Sequence, residues 1–329
     1  MSLILIDKPE GPTSHAVVAT IKRALKAEKV GHLGTLDPFA SGLLPIMIGN
    51  TARLSDEAMD GKKGYLFTIG FGHETDTLDP TGRVIASAEL PEQNSLKNID
   101  KVLEQFTGLI EQVPPAYSAL KFNGMPLYEY MRATGKLPMD IESKRRSVTI
   151  HSLEVTDANC EQLTLRVICS KGTYVRSLAR DIARTLGSVG TCIKLRREMV
   201  EPWHVDKALK LSIDESGRIA APDAASLLER SLPAWAVAPS LPRARLNEIL
   251  EAKLLSGNPI ALPENEMMWD FPPEPAESSA KSSNEAVFVV PLADVPVKIF
   301  ARCNDTLFLC ELTSAEHNML KIQPRKRIQ

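Results

Sequence analysis

The run Gly31-His-Leu-Gly-Thr-Leu-Asp-Pro-Phe-Ala-Ser-Gly-Leu-Leu-Pro45 constrains this chain more than any other stretch. One acidic residue, Asp37, lies between a Gly/Thr turn and Pro38. Apolar residues follow at Phe39, Leu43, Leu44, Ile46, Met47 and Ile48. Three glycines and two prolines bracket the carboxylate, which implies a tight loop set against an apolar wall. Residue types alone read first as an Asp/Pro turn, because both residues favour turns. The alternative is a carboxylate held rigidly beside a flat ring, as a nucleophile or base would be.

A length of 329 residues accommodates one large domain and one small one, and a hydrophobic content of 43% supports a real core. The opening Met-Ser-Leu-Ile-Leu-Ile run is too short for a signal peptide or membrane span and is broken by Asp7 and Lys8. Five cysteines, odd in number and without C-x-x-C pairing, argue against a disulfide framework and a zinc site. A reducing cytoplasm is the expected compartment. The net charge of −2 conceals an uneven distribution. Residues 264–285 carry six acidic side chains against Lys281, a net −5, so the rest of the chain is +3. Basic clusters recur at 22–29, 144–146, 176–184, 194–197 and 321–327. They can neutralise phosphates if they converge on one face. Taken singly, each reads as a solvated helix face or tail.

Leu3–Ile6 predicts a strand. Thr13 and Ser14 then offer a cap for a helix carrying Val17, Val18, Ile21 and Leu25. Further strands are expected at 65–71, 147–155 and 163–169. Helices are expected at 96–106, closed by Gly108, and at 176–186, ending at Gly187. The elements mix without regular βαβ repetition, which predicts an α+β fold with a mixed or antiparallel central sheet. Residues 263–285 are rich in Pro, Glu, Ser and Ala and read as a flexible linker. Strand-like runs at 287–292, 297–301 and 307–312, with a first strand near 254–260, suggest a small β module that the linker interrupts. The expected division is residues 1–235 and 236–329.

Six segments in order resemble the bacterial TruB-type pseudouridine synthases of tRNA. They are Asp7-Lys-Pro-Glu-Gly-Pro-Thr-Ser14, the Asp37 run, Lys63-Gly-Tyr65, Thr75-Asp-Thr-Leu-Asp79-Pro-Thr-Gly82, Pro114-Pro-Ala-Tyr-Ser-Ala-Leu-Lys121, and Ser170-Lys-Gly-Thr-Tyr-Val-Arg-Ser177 followed by Leu195-Arg-Arg197. The resemblance spans roughly residues 3–202. It implies the pseudouridine synthase fold with a small C-terminal PUA-like β-barrel module that binds RNA. A haloacid-dehalogenase reading of the 75–79 loop fails, because Asp76 and Asp79 are three apart and follow no apolar strand directly. No G-x-x-x-x-G-K-[ST] phosphate loop is present.

The resemblance makes Asp37 the catalytic residue of a uridine-to-pseudouridine isomerisation at the T-loop of tRNA, position 55 in tRNA numbering. The reaction is redox-neutral, so no cofactor and no metal are implied. A buried Asp37 needs a cation to stay ionised. Arg176 is the implied partner, with Asp79 sharing it. Tyr65 would stack on the uracil, Leu195 would form part of the apolar wall, and Tyr174 would share a face with Arg176 if the segment were extended. His32 would fill the gap left by the flipped base. Lys63, Lys121, Lys171 and Arg197 are implied RNA-binding residues, and Lys321–Arg327 would suit an acceptor-stem contact. Leu33 departs from the family, which usually has a small polar residue there. The implied partner is the T-arm of tRNA, with no membrane, no protein partner and a monomeric state. Two other readings stand beside the stand-alone isomerase: a tRNA-folding chaperone, and a guide-RNA-dependent relative of the archaeal and eukaryotic type.

Overall fold

The computed structural model describes residues 2–58, 61–92, 97–239, 241–263, 268–269, 297–303, 306–315 and 319–328. The Ser2–Lys8 strand is apolar on both faces, with Leu3, Ile4 and Ile6 fully buried, as suits an interior strand. It pairs antiparallel with Ser41–Ile48 and parallel with Leu209–Lys210. The sheet continues from Ser41–Ile48 through Gly190–Val200, Lys63–Phe71, Gln162–Cys169, Arg146–Ala158 and Gly108–Gln112. With three short strands at its margins it is an eleven-stranded mixed sheet among the described residues.

Helix Ser14–Ala24 buries Val17, Val18 and Ile21 at the expected spacing, and the Thr13 hydroxyl caps it by accepting from the Ala16 amide. Helix Val175–Thr185 buries Val175, Leu178, Ala179, Ile182 and Ala183 in the same core as Phe67, Ile69, Leu165 and Val167 of the sheet. The helix expected at 96–106 is shorter, Ile99–Glu104. Its end tightens into i→i−3 bonds from Gln105, Phe106 and Thr107, and Gly108 at φ +91° opens the edge strand instead of closing the helix. Leu96 lies outside the described residues.

The C-terminal part forms a second sheet, ordered Ile260–Pro263, Met319–Arg327, Thr306–Ala315, Val297–Cys303, Arg243–Arg245, Met268–Trp269. This curled sheet fits a PUA-like module. Two expectations change here. The region near 254–260 is largely helix, Glu248–Leu255 capped by the Asn247 side chain, with the strand starting only at Ile260. Met268–Trp269, within the expected linker, pairs with Arg243–Arg245. The remainder of that linker, 264–267 and 270–285, and the run at 287–292 lie outside the described residues. One apolar cluster joins the two sheets: Phe300, Leu307, Leu309 and Ile328 bury with Leu3, Leu5, Leu33, Leu43 and Met47.

Candidate active site

Strand Val30–His32 pairs antiparallel with Ser41–Ile48, and the chain between them carries Asp37 outward from the sheet. The loop closes at a seam where Ser41 and Gly42 run parallel to Arg196 and Arg197. Gly42, at φ +106°, is required there, since a Cβ would overlap the Arg197 backbone.

The segment Asp7–Ser14 braces the loop from one side. The Ser14 hydroxyl donates to the Leu36 carbonyl at 2.9 Å and accepts from the Leu36 amide at 2.8 Å. The Gly11 amide donates to the Pro38 carbonyl at 2.8 Å. Lys8 is fully buried, and its ammonium donates to the carbonyls of Pro9, Pro12 and Pro38. Burial pushes the Lys8 pKa down to about 8, with Asp37 the largest opposing influence. Asp7 anchors the segment to the sheet through a bidentate pair with Arg196 at 2.8 and 3.0 Å.

Arg176, on the first turn of helix Val175–Thr185, meets Asp37 from the other side. Its Nε lies 2.9 Å from Asp37 Oδ2, and its Nη2 donates to Oδ1 at 3.3 Å. The remaining guanidinium hydrogens go to the carbonyls of Thr77 at 2.6 Å and Tyr117 at 3.0 Å, and Asp79 Oδ2 lies 3.6 Å from Nη1. Asp79 is in turn held by the hydroxyls of Thr77 and Thr81 and the Thr81 amide. Arg176 is 5% exposed, whereas the Asp37 side chain keeps 34% of its surface. The pair is thus buried on the arginine side and open on the carboxylate side. Burial raises the Asp37 pKa above its ordinary value. Arg176 opposes that rise and Asp79 adds to it.

Tyr65 and Leu195 are buried in the same core as Leu36 and Ala40, which flank Asp37 in the loop. Tyr65 is the cross-strand neighbour of Arg197. Tyr174 does not lie on an extended segment with Arg176. It is the residue before the helix, so the two leave the chain in different directions. The turn that starts the helix is built by Gly172 at φ +84°, by Thr173 donating to the Ser170 carbonyl, and by the Gln112 amide bonding both backbone groups of Tyr174. The Arg146 guanidinium stacks 4.6 Å from the centre of the Tyr174 ring.

His32 ends its strand with Nδ1 buried and without a hydrogen-bond partner among the described residues. Burial, then Arg197 and His15, lower its pKa, which favours the neutral ring. Lys121 and Lys171 are exposed, the first on a two-residue strand and the second in the turn before Tyr174. Lys63 is only 9% exposed, with its ammonium 3.5 Å from the Gly61 carbonyl. Arg197, expected to bind RNA, is 1% exposed and has no surface to offer a phosphate. Its guanidinium spans the loop instead, donating to the carbonyls of Leu43, Gly34 and Leu33. The supporting roles of Lys8, Ser14 and Gln112 escaped the sequence reading. The first two stand inside a quoted motif, but only a packed loop gives their hydrogen bonds a destination.

Residues 22–175 match the model of the TruB family pseudouridylate synthase N-terminal domain. The tRNA pseudouridine synthase B of Aromatoleum aromaticum is 44% identical over 261 residues, 79% of this chain and 81% of that one. The chain belongs to the TruB family of pseudouridylate synthases. The tRNA pseudouridine synthase B of Bordetella avium is another relative, 42% identical over 70% of this chain and 93% of its own. A solved Cbf5-Nop10-Gar1 complex contains a chain of the same fold, with a TM-score of 0.64 and 23% identity over all of this chain and 85% of that one. Within the segment matched by the family model, Asp37 is an open carboxylate held by a buried arginine. A carboxylate so placed has the chemistry of a nucleophile or base.

Proposed function

We propose that the protein isomerises uridine to pseudouridine in tRNA, at the T-loop uridine of position 55, without a guide RNA and with Asp37 as the catalytic carboxylate. The observation that carries this reading is the Asp37–Arg176 pair, open on the carboxylate side, in a chain of this family. Relatives named for action on tRNA reach 44% identity, while chains from Cbf5 and H/ACA complexes share the fold at 20–23%.

The reaction breaks the N1–C1′ bond of the uridine, turns the uracil, and forms a C5–C1′ bond. C5 gives up its hydrogen to solvent, and N1 ends as an N–H, so atoms and charge balance. Asp37 supplies the carboxylate that attacks the nucleotide or takes its proton, and Arg176 keeps it ionised despite burial. Tyr65 stacks on the detached base and Leu195 walls the slot, which keeps the uracil from leaving. The uridine leaves its stack at a cost of a few kcal/mol, and His32 occupies the space it vacates. Lys121 and Lys171 contact the RNA backbone from their exposed positions. Residues 1–235 carry the chemistry, and 236–329 form an RNA-binding module. A monomer in the cytoplasm completes the reading. Among the described residues no helix is long and apolar enough to cross a membrane.

The test is conversion of an isolated T-arm stem-loop by purified protein, read by mass spectrometry after carbodiimide labelling of pseudouridine. Conversion confined to the T-loop uridine is expected. An unmodified stem-loop, with conversion restored by added guide RNA, would replace this reading with the guide-dependent one.

A further inference from the structure

Among the described residues, Arg197 and Lys8 are the largest side chains buried completely, and both are cations that hold the Asp37 loop. Arg197 is the more unusual. Burial depresses its pKa, and Tyr65, its cross-strand neighbour, is the ionisable group that opposes this. Among the described residues no carboxylate accepts from it; the carbonyls of Leu43 at 2.7 Å, Gly34 at 2.9 Å and Leu33 at 3.4 Å do. A desolvated guanidinium is costly unless its hydrogens are used, and here they are used on the entry and the exit of one loop. The same group faces the Tyr65 phenol across the Arg197↔Tyr65 register pair, where both side chains share one face of the sheet. Gly34 and Gly42 both crowd Arg197. A Cβ at Gly34 would sit 3.2 Å from its Nη1, and one at Gly42 would overlap its backbone.

We infer that Arg197 is a positioning residue that sets the width of the uracil slot, by tying the Asp37 loop and the Tyr65 ring to one rigid fork. This rests on the proposed isomerase reading. The loop places the carboxylate on one side of the slot, and Tyr65 places the stacking surface on the other. The guanidinium beside the phenol on the same sheet face restrains the ring, and pinning both ends of the loop restrains the carboxylate. The guanidinium adds a direct link between the two ends of the loop and the strand that carries Tyr65, beside the bonds that Ser14, Lys8 and Arg176 make to the loop. A lysine keeps the charge but cannot span the three carbonyls with a planar fork.

The experiment compares wild type, Arg197→Lys, Tyr65→Phe and the double variant by single-turnover conversion of the T-arm stem-loop. Stem-loop affinity and thermal midpoint are read on the same samples. Wild-type conversion tests the isomerase reading itself, and its absence would remove that reading rather than this inference. The inference expects Arg197→Lys to slow conversion about 100-fold, as for a displacement near 1 Å. Affinity should change little, and the double variant should be no slower than the worse single one. An unchanged rate, or losses that multiply, would overturn it. So would a loss seen in affinity alone. If Arg197→Lys does not fold, Tyr65→Phe decides: slowed conversion at preserved affinity supports the shared fork, and wild-type conversion overturns it.

Discussion

Arg176 touches both oxygens of Asp37 and is itself held by the Thr77 and Tyr117 carbonyls, so its position does not depend on the carboxylate it serves. Removing it leaves the carboxylate next to Asp79 with only the charge of Lys8 to oppose desolvation. Arg176→Met is therefore expected to lower single-turnover conversion about 10²–10³-fold near neutral pH. It should also move the acidic limb of the pH–rate profile upward. The sign follows from the charge required. The active form is the carboxylate, its pKa is already raised in the wild type, and activity is lost as pH falls through that value. The wild-type limb should thus lie above the ordinary aspartate range and the variant's higher still. A second titration involves Lys8, whose folded-state pKa of about 8 lies below its ordinary 10.5. Between those values the unfolded chain holds a proton that the folded one lacks, so this group adds stability as pH rises from about 8. Denaturant midpoints of wild type and Lys8→Met across that range should diverge in favour of the wild type. The Asp37–Arg176 contact joins residues 139 apart in sequence and was readable only through the whole string of motifs. Arg197 was misread because residue type says nothing of burial. Its neighbours Arg196 and Glu198 are partly exposed, and the alternation of the strand turns Arg197 inward.

At the scale of elements, the loop is shaped by three separate parts of the chain: the Asp7–Ser14 segment, the Gly190–Val200 strand and the first turn of helix Val175–Thr185. Ser14 holds both backbone groups of Leu36, one residue before Asp37. Ser14→Ala leaves a buried amide and carbonyl unpaired. It should cost ~1–3 kcal/mol in chemical denaturation, together with a measurable loss of conversion rate. The strands were legible because apolar runs and turn residues bound them cleanly. Helix 176–186 was legible from its spacing. The end of the 99–104 helix was not, since Gly108 serves equally to stop a helix or to open a strand, and only the pairing with Arg146–Ala158 settles which. Whether Tyr174 and Arg176 share a face was illegible for a similar reason: the Gln112 side chain that starts the helix comes from an edge strand far away in sequence.

Across the whole molecule, the two sheets share an apolar cluster that includes Leu33, four residues before Asp37. A small polar residue at that position would give the cluster nothing to bury. The departure at Leu33 thus links the loop to the C-terminal sheet. Phe300 is fully buried in this cluster, so Phe300→Ala is expected to destabilise by ~3–5 kcal/mol and to lower conversion along with stability. The tail expected to meet RNA is partly committed within the molecule. Lys326 donates to the Arg53 carbonyl at 2.8 Å and Arg325 pairs with Glu311. That docking depends on a strand register that composition does not encode. The central claim is tested most directly by tritium release from a T-arm stem-loop carrying 5-³H-uridine, comparing wild type with the isosteric Asp37→Asn. C5 loses its hydrogen when it bonds to C1′, so release reports the isomerisation itself. The account predicts release by wild type and none by Asp37→Asn at equal stem-loop affinity; release by both proteins would contradict it.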